Sequence, residues 1–167
     1  NGADGITVHP RPDQRHIRPS DVRILGELIR SLAGVEFNIE GNPFAPAVAD
    51  YPGFLPLVTE IQPDQCTLVP DGDDQLTSDH GFDLFQSGKA LAPIITRLKS
   101  QGMRVSLFMD PDAEQIKQAA LIGADRIELY TGPFAAAWGT ESADDLFNQH
   151  KQAAILATKL GMGVNAG

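Results

Sequence analysis

Cysteine is almost missing from this chain: Cys66 stands alone in 167 residues. One thiol excludes an intramolecular disulfide framework and fits the reducing cytosol, so a cytoplasmic location is expected. It also has no second thiol with which to build a structural zinc site, and the separation of His9 from His16 is not that of helical metal ligands. No metal ion or other cofactor is expected. No apolar run approaches the roughly 18 residues of a membrane span, and no basic-then-apolar leader is visible. Positive charge is scarce too. Lys and Arg total 13 against 22 Asp and Glu, a formal charge of −9 with a pI near 4.7. That field argues against nucleic acid or an anionic membrane as partner. Finally, no Gly-x-Gly-x-x-Gly follows any candidate strand, so the dinucleotide fingerprint is lacking.

What is present is apolar substance. At 42% hydrophobic residues the chain can bury a sizeable core, and its length favours one domain over residues 1–167. Against the acidic background one stretch stands out, Gly5-Ile6-Thr7-Val8-His9-Pro10-Arg11-Pro12-Asp13-Gln14-Arg15-His16. Ile6 and Val8 alternate with Thr7 and His9 as a strand requires. Pro10 cannot donate to a sheet, so the strand should stop at His9 and hold the imidazole at its end. Arg11, Arg15 and His16 follow in a loop stiffened by two prolines, which lowers the ordering cost of binding an anion. A phosphorylated substrate with proton transfer beside it is one reading. A merely solvated loop is the other, and this stretch alone leaves both open.

The rest of the chain alternates strand and helix. Ser20 can cap a helix carrying Val22, Leu25, Ile29 and Leu32 up to Gly34. Strands are expected at 36–40, 65–70, 104–109, 126–131 and from 163, with helices between them. Pro93 is tolerable only near the first turn of its helix. The segments 42–53, 71–81 and 132–141 read as loops, the last holding Trp138. Gly2-Ala3-Asp4-Gly5-Ile6-Thr7-Val8-His9 echoes Gly123-Ala124-Asp125-Arg126-Ile127-Glu128-Leu129-Tyr130, so the units are interchangeable modules.

Short strands joined through helices imply parallel pairing in βα units. A sheet covered on both faces should read as continuous apolar runs. Here Thr7, His9, Asn38, Glu40, Thr67, Ser106, Glu128 and Asn165 alternate with Ile, Val, Phe and Leu. In a (β/α)8 TIM barrel the polar set lines the interior, and the C-terminal strand ends, where His9, Glu40 and Glu128 fall, carry catalysis. The fold expected is therefore α/β, a TIM barrel. Six strands are countable where a barrel has eight, so a partial barrel is expected, lacking the first βα unit and the last strand or strands.

The blocks from Gly2 to Asp13, Phe37-Asn38-Ile39-Glu40, Thr67-Leu68-Val69-Pro70, Ile127-Glu128-Leu129-Tyr130-Thr131 and Val164-Asn165-Ala166-Gly167 resemble the pyridoxine 5'-phosphate synthase family, end to end and in order. The resemblance implies a barrel that assembles into a homo-octamer. It implies condensation of 3-amino-2-oxopropyl phosphate with 1-deoxy-D-xylulose 5-phosphate to pyridoxine 5'-phosphate, phosphate and water. Position by position, His9 and Glu40 match the family's acid/base residues, and Glu128 its transition-state carboxylate. Arg11, His16 and Thr77 match contacts to the deoxyxylulose phosphate. The family's first βα unit has no counterpart here, and its third catalytic His would follow Gly167, as would a glycine-rich phosphate site. The 42–53 connection is also longer than the family's, which bears on the rim of the site.

Each residue has a plainer role available. A strand-interior Glu40 costs several kcal/mol if buried without partner or purpose, which favours function. Glu128 also suits a structural ion pair, and loop threonines such as Thr77 are common. His80 and His150 read as surface or helix residues. Two other functions compete: a phosphate-handling barrel isomerase or epimerase, which would ignore an aminoketone phosphate, and a truncated, non-catalytic ligand-binding paralogue.

Overall fold

Strand and helix follow one another through β1 (Gly5–Val8), α1 (Pro19–Arg30), β2 (Glu36–Gly41), α2 (Phe54–Ile61), β3 (Gln65–Leu68), α3 (Leu84–Ser100), β4 (Arg104–Met109) and α4 (Ala113–Leu121). The chain continues as β5 (Arg126–Leu129), α5 (Gly132–Ala137), α6 (Ala143–Lys159) and β6 (Gly163–Ala166). This is a computed structural model, and it describes residues 2–72 and 75–167. Among those residues no helix is long and apolar enough to cross a membrane.

Every strand pairs in parallel with its chain neighbour, in the spatial order β1-β2-β3-β4-β5-β6. The sheet is curled. Strands lie about 4.8 Å apart, so the edges of a flat six-stranded sheet would be some 24 Å from each other. Yet His9, just past β1, and Gly167, just past β6, line one and the same cavity. The architecture is an α/β half-barrel of TIM-like kind.

The period-2 pattern explains the curl. Phe37, Ile39, Leu68, Val105, Leu107, Ile127 and Leu129 are at most 3% exposed and pack under the helices beside Val22, Leu57, Leu91, Ile95, Leu98 and Ile116. Each such side chain contributes about 1.5–3 kcal/mol by leaving water. The alternate positions point inward, and three of them bond in a row: Thr67 Oγ1 donates to Asn38 Oδ1 at 3.1 Å, and Asn38 Nδ2 to Thr7 Oγ1 at 3.3 Å. Lower down, Arg104 Nη1 donates to Glu36 at 2.9 Å and Arg126 Nη1 to Asn165 at 2.9 Å. Polar pairs thus occupy the N-terminal end of the lumen, and the chemistry is left to the other end.

The repeat noted in the sequence has a hydrogen-bonding cause. The carbonyls of Asp4, Asp64 and Asp125, each just before an odd-numbered strand, accept from the first residue of the next strand: Glu36 at 2.9 Å, Arg104 at 3.0 Å and Gly163 at 3.0 Å. The Asp64 and Asp125 carboxylates accept from Phe37 N at 2.8 Å and Val105 N at 2.9 Å in the preceding strand. Asp64 and Asp125 therefore each pin three strands in register, and Asp4 pins two.

Four expectations need correction. Helix α1 is capped by Arg18, not Ser20: Pro19 takes the first helical position, where its missing N–H costs nothing, and Asp21 accepts from Arg18 N at 2.9 Å. Pro93 lies in the middle of α3 rather than its first turn. Pro93 and Lys89, the residue whose carbonyl it cannot satisfy, are both exposed, so the unpaired carbonyl is not sealed in the core. Residues 132–137 form α5 within the expected 132–141 loop, with Pro133 stiffening its first turn. Strand β1 ends at Val8, which leaves His9 just beyond the ladder.

Gly81 closes the β3–α3 loop against β4. Its N–H donates to Asp110 Oδ2 at 3.2 Å, and the next N–H, that of Phe82, donates to Phe108 O at 3.0 Å. A Cβ at this position would overlap the backbone of Met109 and Asp110, which cannot move aside. Gly81→Ala is expected to lower stability by about 1–3 kcal/mol, read as a shift in the urea unfolding midpoint. An unchanged midpoint would contradict this close approach.

Candidate active site

The C-terminal ends of five strands, with Thr77 and Ser78 from the loop after β3, converge on one cavity of about 310 Å³, lined by His9, Arg11, Glu40, Thr77, Ser78, Phe108, Glu128, Tyr130, Thr131, Gly132 and Gly167. Local structure places the ionisable ones. Pro10 stops β1 and fixes the chain that follows His9. Glu40 is the next-to-last residue of β2, and the residue after it, Gly41, lies so close to the Phe54 ring that no side chain fits. Glu128 points inward from β5, paired in register with Phe108 on one side and Asn165 on the other. Tyr130 leans on Phe108 with ring centroids 5.6 Å apart.

His9 Nδ1 lies 3.8 Å from Glu40 Oε2, and its other nitrogen 3.9 Å from Asp71 Oδ2. Both are beyond hydrogen-bonding reach, so the imidazole is bonded to neither acid and both its nitrogens stay available to a substrate. Asp71 Oδ2 is 2.6 Å from Arg11 Nη2, a buried ion pair. Arg11 also lines a neighbouring cavity of about 200 Å³ with Pro12, Asp13, Arg15, Val48 and Gly72. Val48 reaches it from the 42–53 connection, which doubles back through a Val48–Tyr51 bridge.

Five of the six residues singled out in the sequence, His9, Arg11, Glu40, Thr77 and Glu128, line the main cavity. His16 does not; it is exposed on the loop that carries Arg11. Sequence reasoning missed Asp71, Ser78 and the aromatic wall of Phe108 and Tyr130. It also gave His150 no contact beyond its helix. That ring is half-buried, with Nδ1 2.7 Å from Leu146 O and Nε2 2.8 Å from Tyr130 O, so α6 holds the backbone just past β5. Trp138 is 75% exposed and packs edge-on against Phe134 at 5.6 Å. Among the described residues no group of three His, Cys, Asp or Glu side chains is placed to hold a metal ion.

The profile of the family described as "Pyridoxal phosphate biosynthesis protein PdxJ" matches residues 1–167. This chain belongs to that family. A pyridoxine 5'-phosphate synthase of Xanthomonas axonopodis pv. citri (strain 306) is 58% identical over 166 residues, covering 99% of this chain and 65% of that protein. One from Xylella fastidiosa (strain M23) is 54% identical over 166 residues, covering 99% of this chain and 64% of the relative. The chain thus spans just under two thirds of the length of these relatives. Among solved structures, a D-psicose 3-epimerase in the presence of D-fructose superposes with a TM-score of 0.51 at 11% identity, covering 99% of this chain and 75% of that one. The Amycolatopsis orientalis BexX/CysO complex gives 0.50 at 19% identity, with 99% and 70% covered. Both likenesses concern the fold alone.

In this PdxJ-family chain the cavity moves two ionisable groups in opposite directions. Burial pushes His9 down to about 4, helped by the Arg11 and Arg15 cations and opposed by Asp71. Burial pushes Glu40 up to about 8, aided by the negative charges of Glu128 and Asp71 and opposed by Arg11. Burial also raises Glu128. Near neutrality the imidazole is then a free base beside a carboxyl that keeps its proton. A neutral base and a loaded acid in one cavity are the equipment for repeated proton transfer.

The same shift makes stability depend on pH. Folded Glu40 keeps its proton to about 8, whereas an ordinary glutamate releases it near 4.5. Its contribution is therefore fully present below about 4.5 and is lost as pH rises through 8. Glu40→Gln removes that loss. The variant should gain little over the parent at pH 5 and about 3–5 kcal/mol by pH 8.5, measured by urea unfolding at both values. A gain that does not grow with pH would contradict a protonated, desolvated Glu40.

Proposed function

We propose that the full-length protein is a pyridoxine 5'-phosphate synthase, condensing 3-amino-2-oxopropyl phosphate with 1-deoxy-D-xylulose 5-phosphate and releasing phosphate and water. The observation that carries this is the His9–Glu40 pair, 3.8 Å apart and displaced in opposite directions, in one cavity with Arg11 and Glu128. Closely similar relatives bear that enzyme's name. In this reading the six-stranded sheet is the central part of a (β/α)8 barrel, residues 1–167 belonging to one domain. The missing barrel units supply a further acid/base His and the glycine-rich phosphate site. The enzyme is cytoplasmic and assembles as a homo-octamer.

The residues divide the work as their chemistry allows. Joining an amine to a ketone, shedding water and closing a ring each need a proton given at one atom and taken at another. Glu40 gives, since its carboxyl is loaded near neutral pH, and departing hydroxyl groups need a proton. His9 takes, since its imidazole is uncharged there. Glu128, across the cavity, offsets positive charge developing on the nitrogen side as bonds rearrange. Arg11 and Thr77 receive the deoxyxylulose phosphate, with His16 reaching it from the rim. The lining supplies both a charge-assisted donor and a hydroxyl for that anion.

A sugar-phosphate isomerase on the same frame would turn over one ketose and ignore the aminoketone. The test is to supply both phosphates to the full-length protein and follow pyridoxine 5'-phosphate. Product that requires both substrates is expected; isomerisation of a single sugar phosphate with no coupled product would overturn the reading. Glu40→Gln should lower kcat by about 10²–10⁴-fold with KM little changed, because Gln keeps the size and loses the exchangeable proton. Arg11→Ala should chiefly raise KM for the deoxyxylulose phosphate.

A further inference from the structure

Asp71 is the one carboxylate at this site that neither the strand pattern nor the family resemblance assigns a role. It follows Val69-Pro70 at the end of β3, the same relation to its strand that the His9 loop bears to β1. The residue is 6% exposed. Its Oδ2 takes the Arg11 guanidinium at 2.6 Å and the Ser78 hydroxyl at 2.8 Å, while Oδ1 is buried without a partner among the described residues. Its own backbone is tied down: Asn42 Nδ2, just past the neighbouring strand β2, donates to Asp71 O at 2.9 Å. His9 Nε2 stands 3.9 Å from that same Oδ2, while Glu40 faces the opposite ring nitrogen.

We propose that Asp71 is a positioning residue for the reaction: it clamps Arg11 at the phosphate end of the cavity and sets the charge between which His9 and Glu40 exchange protons. The proposal rests on the synthase reading for its substrates, but its geometry stands without it. The alternative for a buried carboxylate is a purely structural tie between the β1 and β3 loops. The two differ in what removal of the charge does. His9 is faced by Glu40, Asp71, Arg11 and Arg15; Glu40 is faced by His9, Glu128, Asp71 and Arg11. The Asp71 charge raises both His9 and Glu40.

Removing that charge in an otherwise intact site lowers both groups together, so the bell of kcat/KM against pH slides to more acid values without narrowing. Loosening the site instead lets water in, and His9 climbs toward 6.5 as Glu40 falls toward 4.5, so the bell narrows. The experiment is Asp71→Asn in the full-length protein, with pH–rate profiles and an NMR titration of the His9 ring, which needs no turnover. Expected are limbs and a ring midpoint about half a pH unit or more to the acid side, with Asp71→Glu restoring the parent values. A narrowed bell, or limbs and midpoint that stay put, would overturn the proposal. Should Asp71→Asn not fold, Asp71→Glu is decisive alone. Keeping the charge while displacing the Arg11 clamp by a methylene should raise KM for the phosphorylated ketose about threefold or more with both limbs in place, and parental kinetics would overturn it. If the parent makes no pyridoxine 5'-phosphate yet the ring midpoint moves as expected, the synthase reading fails and the placement of Asp71 stands.

Discussion

Desolvation of acidic groups at the open end of the half-barrel is the constraint on which this structure turns. Glu40, Asp71 and Glu128 all face the C-terminal strand ends, with Arg11 as the cation paired directly within the group. Unit charges 4 Å apart at an effective dielectric near 20 interact by roughly 4 kcal/mol, and one guanidinium cannot balance one buried and two half-buried carboxylates. The site resolves this by dividing states. Asp71 pairs with Arg11, Glu40 keeps its proton to about 8, and the His9 base stays uncharged down to about 4. Breaking a pair such as Arg11–Asp71 at one end leaves an uncompensated charge and costs about 3–5 kcal/mol. The catalytic reading and the instability of the site thus share a cause.

The remainder of the fold exists to hold that end rigid and to occupy the other. The lower lumen is filled by pairs that satisfy each other, Arg104 with Glu36 and Arg126 with Asn165. The aspartates before the odd-numbered strands lock the register on which every inward-facing side chain depends, since a slip of one residue would turn Glu40 and Glu128 into the helices. Outside, the aliphatic stripe under the helices contributes stability that the polar interior does not. At the ends of the sheet this cover thins: Ile6 on β1 is 36% exposed and β6 is nowhere fully buried.

Much of this was legible in the residues. Alternation of Phe37 and Ile39 with Asn38 and Glu40 is enough to infer a curled parallel sheet with a polar inside, because a doubly covered sheet would not tolerate the polar half. His9 and Glu40 were legible as strand-end groups. Asp71 was not, for a physical reason: it opens an acidic run with Asp73 and Asp74, and a single buried carboxylate looks there like one more solvated charge. Only its long-range pairing with Arg11 distinguishes it. Pro93 misled because the rule against proline in helices assumes that the orphaned carbonyl lies away from water. The short α5 was hidden in a stretch of alanines with too little apolar periodicity to register. His16 is the residue that a family motif names but the strand pattern does not place, since it is exposed on a loop beyond the last paired residue of β1.

The protonation of Glu40 can be read directly. A protonated carboxylic acid has a carbonyl stretch that a carboxylate lacks, so infrared difference spectra of the protein against Glu40→Gln isolate this one group. The expected result is an acid carbonyl band present at pH 7, absent in the variant, and titrating away near pH 8. A Glu40 signal that is wholly carboxylate at pH 7 would contradict the division of charge on which both the mechanism and the energetics rest.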